Sequence, residues 1–289
     1  MGIEKKNLQS GFSMPVFGLG TYGMGGRSDH DLNNNDDADI SAIKQAVALG
    51  ITHVDTAESY AAGYAETLVG RALSDIDRSK IFLVSKVQED HLNYHDTIYS
   101  CKQSLLRLKT DYLDLLLMHR FPGDARLAET VKAFDELVAR GLVRHIGVSN
   151  FTKEHVAAAQ SLTKNKIVCN QVHFNLMYRE PEVTGLLKYC QDNDVMLVAW
   201  RPVGKGELVH DIPLVLKKIC DKYKKTPAQV AINWLIHQKN VVTLAKSSNI
   251  EHLKENLGAL GWQLSPNDAE LLRNEYPGQR LVSGTVPLG

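Results

Sequence analysis

Short apolar runs recur along this chain, and most of them end in a single polar or aromatic residue. The runs are ITHVD (51–55), IFLVSK (81–86), YLDLLLMH (112–119), VRHIGVSN (143–150), KIVCNQ (166–171), VMLVAW (195–200) and VVTLAK (241–246). A continuous apolar run is typical of a parallel strand that is buried on both faces. Its last residue is then expected at the carboxyl edge of the sheet.

Segments with helical periodicity separate these runs. They span 37–50, 65–73, 96–108, 129–141, 153–162, 182–193, 213–223, 227–238, 250–257 and 266–275. Asp36 and Asp37 stand where they can cap the first of them. Strands that alternate with helices predict a (β/α)₈ TIM barrel, with one extra helix before the eighth strand and another at the C-terminus.

The segment before the barrel has a different pattern. VFGLG (16–20) supplies the first barrel strand, and residues 5–18 predict a short N-terminal hairpin that turns at Ser10 and Gly11. From its position, this hairpin could plug the bottom of the barrel. We interpret residues 1–289 as a single domain, since the chain contains no linker or close internal repeat.

A doubly wound nucleotide-binding sheet is the main alternative. GMGG (23–26) and GKG (204–206) are glycine-rich, but neither forms GxGxxG between a first strand and its helix. Polar residues at the ends of nearly all the strand candidates favour closure into a barrel, because the carboxyl rim of a barrel is where its active site lies.

Composition and charge narrow the function classes. Lys plus Arg and Asp plus Glu both number 33, so no basic field favours nucleic acid or an anionic membrane. The polar start and the lack of a long apolar run predict neither a signal peptide nor a membrane span. The four cysteines form no CxxC pair, which predicts no metal site and a reducing, cytoplasmic location.

Four rim residues together indicate proton chemistry: Asp55, Tyr60, Lys86 and His119. A nearby ammonium favours the phenolate, so we expect Lys86 to lower the pKa of Tyr60 towards a useful range. Asp55 would keep Lys86 charged and fix its direction. A neutral His119 could orient a carbonyl by a hydrogen bond. The chain shows no activated cysteine or serine, so the attacking group is expected to be a borrowed hydride.

Other strand ends are suited to holding the hydride donor. Ser149, Asn150 and Gln171 could grip a carboxamide, and Trp200 offers a flat face for a nicotinamide-sized ring. Gly204–Gly206 combines close backbone approach with a cation, which suits a pyrophosphate. Lys246, Ser247 and Ser248 precede a helix, whose free N–H groups favour an anion.

The chain resembles the aldo-keto reductase family along essentially its whole length. The matching motifs are GLGTY (18–22), DTAESY (55–60), SKV (85–87), SLLRLKTDYLDLLLMHR (104–120), GVSNF (147–151), NQVHFN (170–175), WRPVGKG (200–206) and AKSSNIEHLKEN (245–256). The resemblance implies a barrel that binds NADPH or NADH without a Rossmann motif. It also implies Tyr60 as general acid, Lys86 and Asp55 as its tuning pair, and His119 as carbonyl orienter.

By the same resemblance, the cofactor set is wider. It comprises Gly20, Thr21, Tyr22, Ser149, Asn150, Gln171, Trp200, Arg201, Val203, Gly204, Gly206, Lys246, Ser247, Ser248, His252, Glu255 and Asn256. Trp200 stands where the family commonly has tyrosine, and Ala245 where many members have proline. His252 replaces an arginine of NADPH-specific members, so we expect NADPH with weaker discrimination against NADH.

The expected partner is a small carbonyl substrate, and a monomer is the family default. Tyr22 and Phe121 are expected in the substrate pocket, while His91, His95, His155, His210 and His237 are expected away from the rim. Two other functions stay open at this point. One is a nicotinamide-binding regulatory subunit of the same fold, and the other is a hydrolase that uses Asp55 and Glu58 as a carboxylate pair.

Overall fold

The computed structural model describes residues 2–210 and 212–289. The strands are β1 (Lys5–Asn7), β2 (Ser13–Pro15), β3 (Phe17–Gly20), β4 (His53–Asp55), β5 (Phe82–Val87), β6 (Leu113–Met118), β7 (Val143–Ser149), β8 (Ile167–His173), β9 (Met196–Trp200) and β10 (Val241–Ala245). Among these described residues, the parallel strands β3 to β10 close into a barrel, because β10 pairs with both β9 and β3. The predicted (β/α)₈ fold is confirmed.

Helices follow the strands around the outside. They are α1 (Asp36–Ala48), α2 (Tyr64–Leu73), α3 (Tyr94–Leu108), α4 (Asp124–Ala139), α5 (Lys153–Ser161), α6 (Glu180–Val183), α7 (Leu186–Asp192), α8 (Glu207–His210), α9 (Leu214–Tyr223), α10 (Pro227–Ile236), α11 (Ile250–Leu257) and α12 (Pro266–Glu275). The helix pair α9 and α10 lies between β9 and β10, and α12 follows the barrel, as the periodicity predicts.

Two helix predictions need correction. The side chain that caps α1 is Asn35, which accepts the N–H of Ala38, so Asp36 and Asp37 lie inside the first turn. Acidic residues in that turn are stabilised by the helix dipole. The single helix predicted over 182–193 is two short helices, because Gly185 adopts a left-handed φ of 75° between α6 and α7.

The N-terminal hairpin covers the amino end of the barrel, as expected from its position. β1 pairs with β2 in antiparallel register. The Lys6 ammonium donates to the carbonyl of Val241, 2.7 Å away at the start of β10. The Phe12 ring packs edge-on against Phe82 and His145, which lie near the starts of β5 and β7. The opposite, carboxyl end is therefore left for the site.

A histidine in β4 forms part of the barrel interior two residues before Asp55. His53 is fully buried, and neither of its ring nitrogens has a hydrogen-bond partner. Burial lowers the pKa of His53 to about 4, so the ring is neutral at physiological pH. The residue that pairs with His53 on β3 must be glycine, since a Cβ on Gly18 would lie 2.3 Å from the ring nitrogen Nδ1 of His53.

Candidate active site

The predicted rim residues Asp55, Tyr60, Lys86 and His119 meet at the carboxyl end of the barrel. Lys86 Nζ donates to the Asp55 carboxylate at 2.6 Å and lies 3.2 Å from the Tyr60 hydroxyl. Asp55 is 2% exposed and Lys86 1%. The rings of Tyr60 and His119 pack edge to face, with centroids 5.7 Å apart. Strands β4, β5 and β6 are neighbours, so their ends bring these groups together.

The turn that carries Tyr60 is held by the loop after β3. Ala61 and Ala62 adopt left-handed φ angles of 51° and 52°, a conformation that non-glycine residues seldom take. Their N–H groups donate to the carbonyls of Arg27 and Ser28, at 2.7 and 2.8 Å. These bonds stabilise the unusual turn and fix the position of the phenol.

The charge states of the group follow from burial and proximity. Burial raises the pKa of Tyr60 above its ordinary value of 10.0, although the Lys86 ammonium acts the other way. Lys86 acts on the pKa of Tyr60 in the expected direction, but the expected fall towards a useful range does not occur, because burial outweighs the ammonium. Burial also acts to lower the pKa of Lys86, but Asp55 and Tyr60 beside it hold that pKa above its ordinary value.

His119 is neutral for a related reason. Burial, followed by the charges of Lys86 and Arg120, lowers the pKa of His119 to about 3. Ser59 Oγ lies 3.2 Å from its Nδ1. If the hydroxyl donates to Nδ1, the ring proton resides on Nε2, which is then a neutral hydrogen-bond donor.

The predicted amide group adjoins these residues directly. Gln171 Nε2 donates to the second oxygen of Asp55 at 2.8 Å. Ser149 Oγ donates to the Gln171 carbonyl at 2.8 Å, and Asn150 Nδ2 donates to Ser149 Oγ at 2.9 Å. Asn150 also donates to the His119 carbonyl at 3.2 Å. The predicted amide residues and the four rim residues thus form one hydrogen-bonded network.

Trp200 belongs to a stack of aromatic rings. Its ring lies parallel to His173, with centroids 4.2 Å apart, and His173 stacks in turn on Tyr178 at 3.9 Å. Burial, with help from nearby cations, lowers the pKa of His173 to about 3. His173 lies in the motif NQVHFN, but the sequence pattern did not single it out. A signal was available, since His173 comes two residues after Gln171 on the same strand and so shares its face.

Most of the predicted residues line one open cavity of about 1150 Å³. Those that do are Gly20, Tyr22, Asp55, Tyr60, His119, Ser149, Asn150, Gln171, Trp200, Arg201, Val203, Gly206, Lys246, Ser247, His252, Glu255 and Asn256. Lys86 and Thr21 lie behind this surface, where the Thr21 hydroxyl donates to the Asp55 carbonyl at 3.0 Å. Gly204 and Ser248 do not line the cavity.

Several expectations about the cavity wall are wrong. Phe121 is not part of the wall, because its ring stacks on His155 with centroids 3.6 Å apart. His210 does line the cavity, although it was expected away from the rim. His91 lies closer to the site than expected, since its Nδ1 is 3.2 Å from the buried Glu58 carboxylate.

Other lining residues were not foreseen from the sequence. They are Arg27, Ser28, Ser59, Gln88, Glu89, Asp90, Arg120, Pro202, Ala228, Leu244, Ala245, Thr285 and Val286. Most of them follow strands, in loops whose path the strand pattern does not specify. Lys205, the cation expected within 204–206, also lines the cavity.

The segment after α12 forms one wall of the cavity. The buried Glu180 carboxylate accepts the N–H groups of Ser283, at 2.9 Å, and Leu288, at 3.2 Å. The Gly289 N–H donates to the Asn150 carbonyl at 2.9 Å. Thr285 and Val286 therefore stand at the cavity edge.

Within residues 2–210 and 212–289, no three His, Cys, Asp or Glu side chains are grouped so as to hold a metal ion. In the same described ranges, no helix is both long and apolar enough to cross a membrane.

Comparison with known proteins gives the family. The model of the aldo/keto reductase family matches residues 16–275, and the chain belongs to that family. It is 34% identical to the methylglyoxal reductase YeaE of Escherichia coli, over 95% of this chain and 96% of that protein. It is 33% identical to the glyoxal reductase of Bacillus subtilis, over 91% and 89%.

Solved structures share the fold, and one of them holds a nicotinamide cofactor. An aldo-keto reductase from Klebsiella pneumoniae in complex with NADPH superposes with a TM-score of 0.85 at 33% identity, covering 98% of each chain. The thermostable aldo-keto reductase Tm1743 superposes with a TM-score of 0.90 at 40% identity, covering 94% of this chain and 99% of that one. The chain is accordingly an NAD(P)H-dependent oxidoreductase.

Proposed function

We propose that this enzyme uses NADPH to reduce small aldehydes and ketones to alcohols, with Tyr60 as the general acid. The observation that carries the proposal is the position of the Tyr60 hydroxyl, 3.2 Å from the ammonium of Lys86 and on the wall of the cavity. A phenol that is protonated at neutral pH, with a buried cation beside it, can give up a proton and have its anion stabilised at once.

When bound, the nicotinamide supplies a hydride to the carbonyl carbon. Tyr60 gives its hydroxyl proton to the carbonyl oxygen as the C=O π pair moves there, so the product is a neutral alcohol. Lys86 stabilises the phenolate that remains, and Asp55 keeps Lys86 charged and directed. His119, neutral because burial holds its pKa at about 3, donates a hydrogen bond that orients the carbonyl. A proton from solvent then restores Tyr60.

The residues present fit a nicotinamide cofactor. Ser149, Asn150 and Gln171 would hold its carboxamide, and the face of Trp200 that His173 leaves uncovered would pack on its ring. The other predicted cofactor residues, which extend to α11, would hold the phosphates and the adenosine. Those that line the cavity are Gly20, Tyr22, Arg201, Val203, Gly206, Ser247, Glu255 and Asn256, whereas Thr21, Gly204 and Ser248 lie outside its wall.

Lys246 and His252 support a preference for NADPH. Both line the cavity near the start of α11, where a 2′-phosphate would find a cation. A histidine cannot form the two parallel bonds that an arginine forms with phosphate, so the preference over NADH should be modest. Titration of each cofactor, followed by tryptophan fluorescence, should give tighter binding for NADPH, and Lys246→Ala should reduce the difference. Tighter binding of NADH would overturn this preference.

Methylglyoxal and glyoxal are the first substrates to test, because relatives at 34% and 33% identity carry those names. Oxidation of NADPH, followed by its absorbance, should be rapid with both and with simple aldehydes. Tight cofactor binding without turnover across a broad panel would overturn the proposal.

Carboxylate-pair hydrolysis is not supported by the site geometry. Both oxygens of Asp55 are engaged, by Lys86 and by Gln171.

We further propose that the enzyme works as a cytoplasmic monomer, in keeping with three buried thiols and no disulfide among the described cysteines. Light scattering during size-exclusion chromatography should give the mass of one chain, and a dimer mass would overturn this.

A further inference from the structure

Three arginines line the cavity without a carboxylate partner. They are Arg27, Arg120 and Arg201, and within the described residues none of them has a carboxylate oxygen within 4.0 Å of a guanidinium nitrogen. Arginines elsewhere are commonly paired, as when Arg78 and Arg144 both bind Asp114. An arginine is always charged and is shaped to bind a carboxylate. These three are therefore available to a ligand that enters the cavity.

Arg201 is the least available of the three. Its Nη1 donates to Thr285 Oγ1 at 2.9 Å, and its guanidinium lies 5.0 Å from the centroid of the Trp200 ring. Arg27 and Arg120 have exposed side chains, and the described residues offer neither guanidinium a hydrogen bond. Many surface arginines also lack partners. What distinguishes Arg27 and Arg120 is that they line the cavity.

The cavity cations are divided around the rim. Lys205 and Lys246 follow β9 and β10, which are neighbours on the side of the proposed phosphate contacts. Arg27 follows β3 and Arg120 follows β6, so they flank β4 and β5, the strands that lead to Tyr60 and Lys86. In strand order, the two arginines thus follow the strands on either side of the pair that leads to Tyr60 and Lys86.

Both arginines are tied directly to the reacting groups. Arg120 is the residue after His119, and its charge is one of those that lower the pKa of His119. The Arg27 carbonyl accepts the N–H of Ala61, the residue after Tyr60. A short molecule whose carbonyl reaches Tyr60 and His119 would therefore share one cavity with both arginines.

Two acidic residues at the same end of the cavity limit the charge of the ligand. Glu89 and Asp90 also line the wall, and neither pairs with Arg27 or Arg120 within 4.0 Å. They would repel a second negative charge. The combination favours a ligand with one negative charge over a dianion.

We propose that Arg120, assisted by Arg27, forms an anion subsite for short aldehydes that carry a single carboxylate. This inference rests on the proposed carbonyl reduction and adds a substrate class to it. The guanidinium would bind the carboxylate equally well before and during hydride transfer. It should therefore lower KM for such aldehydes and change kcat little.

The test compares succinic semialdehyde with methyl 4-oxobutanoate, its methyl ester, using NADPH. The two aldehydes have the same reacting end, and only the acid carries a charge. The unmodified enzyme should favour the acid in kcat/KM by about 10- to 100-fold, the size expected for a charge-assisted pair. The preference should weaken as ionic strength rises.

Variants identify the residue responsible. Arg120→Gln should bring the acid-to-ester ratio of kcat/KM close to one, and Arg120→Lys should restore part of the preference. Arg140→Gln is the matched control, because it removes the same charge from the surface of the enzyme, where Arg140 pairs with Glu136. It should leave the ratio unchanged. If Arg120→Gln does not fold, Arg27→Gln should lower the ratio instead.

The outcomes separate the two proposals. Equal kcat/KM for the acid and the ester in the unmodified enzyme would overturn the subsite and leave carbonyl reduction intact. A ratio that persists in both arginine variants would also overturn the subsite. Failure to reduce either aldehyde, or any neutral aldehyde, would overturn the proposed function itself.

Discussion

The ammonium of Lys86 lies 3.2 Å from the hydroxyl of Tyr60, and Lys86 itself is 1% exposed. Burial and the ammonium act on the phenol in opposite directions. Burial keeps the pKa of Tyr60 above its ordinary value, so the resting group holds its proton. Once that proton is given away, the adjacent cation stabilises the phenolate. Under the proposed mechanism, this pair is what makes the rim a proton donor.

Asp55→Asn should destabilise the fold as well as slow the reaction. The change leaves the buried Lys86 ammonium without its counter-charge, and breaking a buried pair costs about 3–5 kcal/mol. Urea unfolding should show this loss in the free energy of unfolding. Asp192→Asn is the control, since it breaks the exposed pair with Lys188 and should change little. If both variants lost the same free energy of unfolding, the buried Lys86 ammonium would not depend on Asp55 for its stability.

Three histidines that the fold keeps neutral should make stability fall in mild acid. His53 has a pKa of about 4, and His119 and His173 have pKa values of about 3, each lowered mainly by burial from 6.5. The unfolded chain takes up these protons near pH 6.5, whereas the folded chain resists until about pH 4. The free energy of unfolding should therefore have its full value above pH 6.5. Below that pH it should decline by about 1.4 kcal/mol per pH unit for each histidine.

Denaturant melts at several pH values test this decline. His53→Gln removes one of the groups that take up a proton on unfolding. The free energy of unfolding should then change less steeply with pH between pH 6 and 4.5. His95→Gln alters an exposed histidine and should leave the slope unchanged. A stability that is level over this range would show that the three rings are not held neutral.

The same charge states predict a level pH profile for reduction. His119, with its pKa lowered to about 3, does not titrate between pH 5 and 8. Burial holds the pKa of Tyr60 above 10.0, so the phenol keeps its proton over the whole range. A plot of kcat/KM against pH for a neutral aldehyde should be flat there and should decline only in strong alkali. A step near pH 6.5 would mean that a histidine must change its charge during catalysis.

Release of residues 283–289, the tail that follows α12, should loosen the part of the cavity wall that contains Thr285 and Val286. The two carboxylate oxygens of Glu180 accept the N–H groups of Ser283 and Leu288. Glu180→Gln leaves only one oxygen that can accept them. Amides in 283–289 should then exchange hydrogen faster, and KM for small aldehydes should rise several-fold. Glu270→Gln, on the surface of α12, is the control and should alter neither property. Unchanged exchange in Glu180→Gln would show that other contacts hold the tail.

The barrel and its rim were predictable because they depend on local patterns. Each apolar run became a strand within about two residues, since burial on both faces requires an unbroken apolar stretch. Once the strands are parallel and neighbouring, their last residues must share one edge. The meeting of Asp55, Lys86 and His119 follows from that geometry and from chain order.

The features that were missed depend on contacts distant in sequence. Glu180 binds Ser283 across 103 residues and Leu288 across 108, and no periodicity indicates such a pairing. The stack of Trp200 on His173 joins two strands through ring geometry rather than through residue type. The break at Gly185 was missed because the apolar spacing of 182–193 continues through it, although a left-handed glycine ends the helix.

Tyr60→Phe gives the most direct test, because it removes one hydroxyl and keeps the ring that packs on His119 and Tyr22. Turnover of methylglyoxal and the dissociation constant of NADPH should be measured on the same preparation. We predict that kcat falls by about 100- to 10,000-fold, the usual contribution of a general acid. The dissociation constant should stay within about threefold, since the lost hydroxyl belongs to proton transfer rather than to cofactor binding. Turnover at the parent rate would contradict Tyr60 as the proton donor.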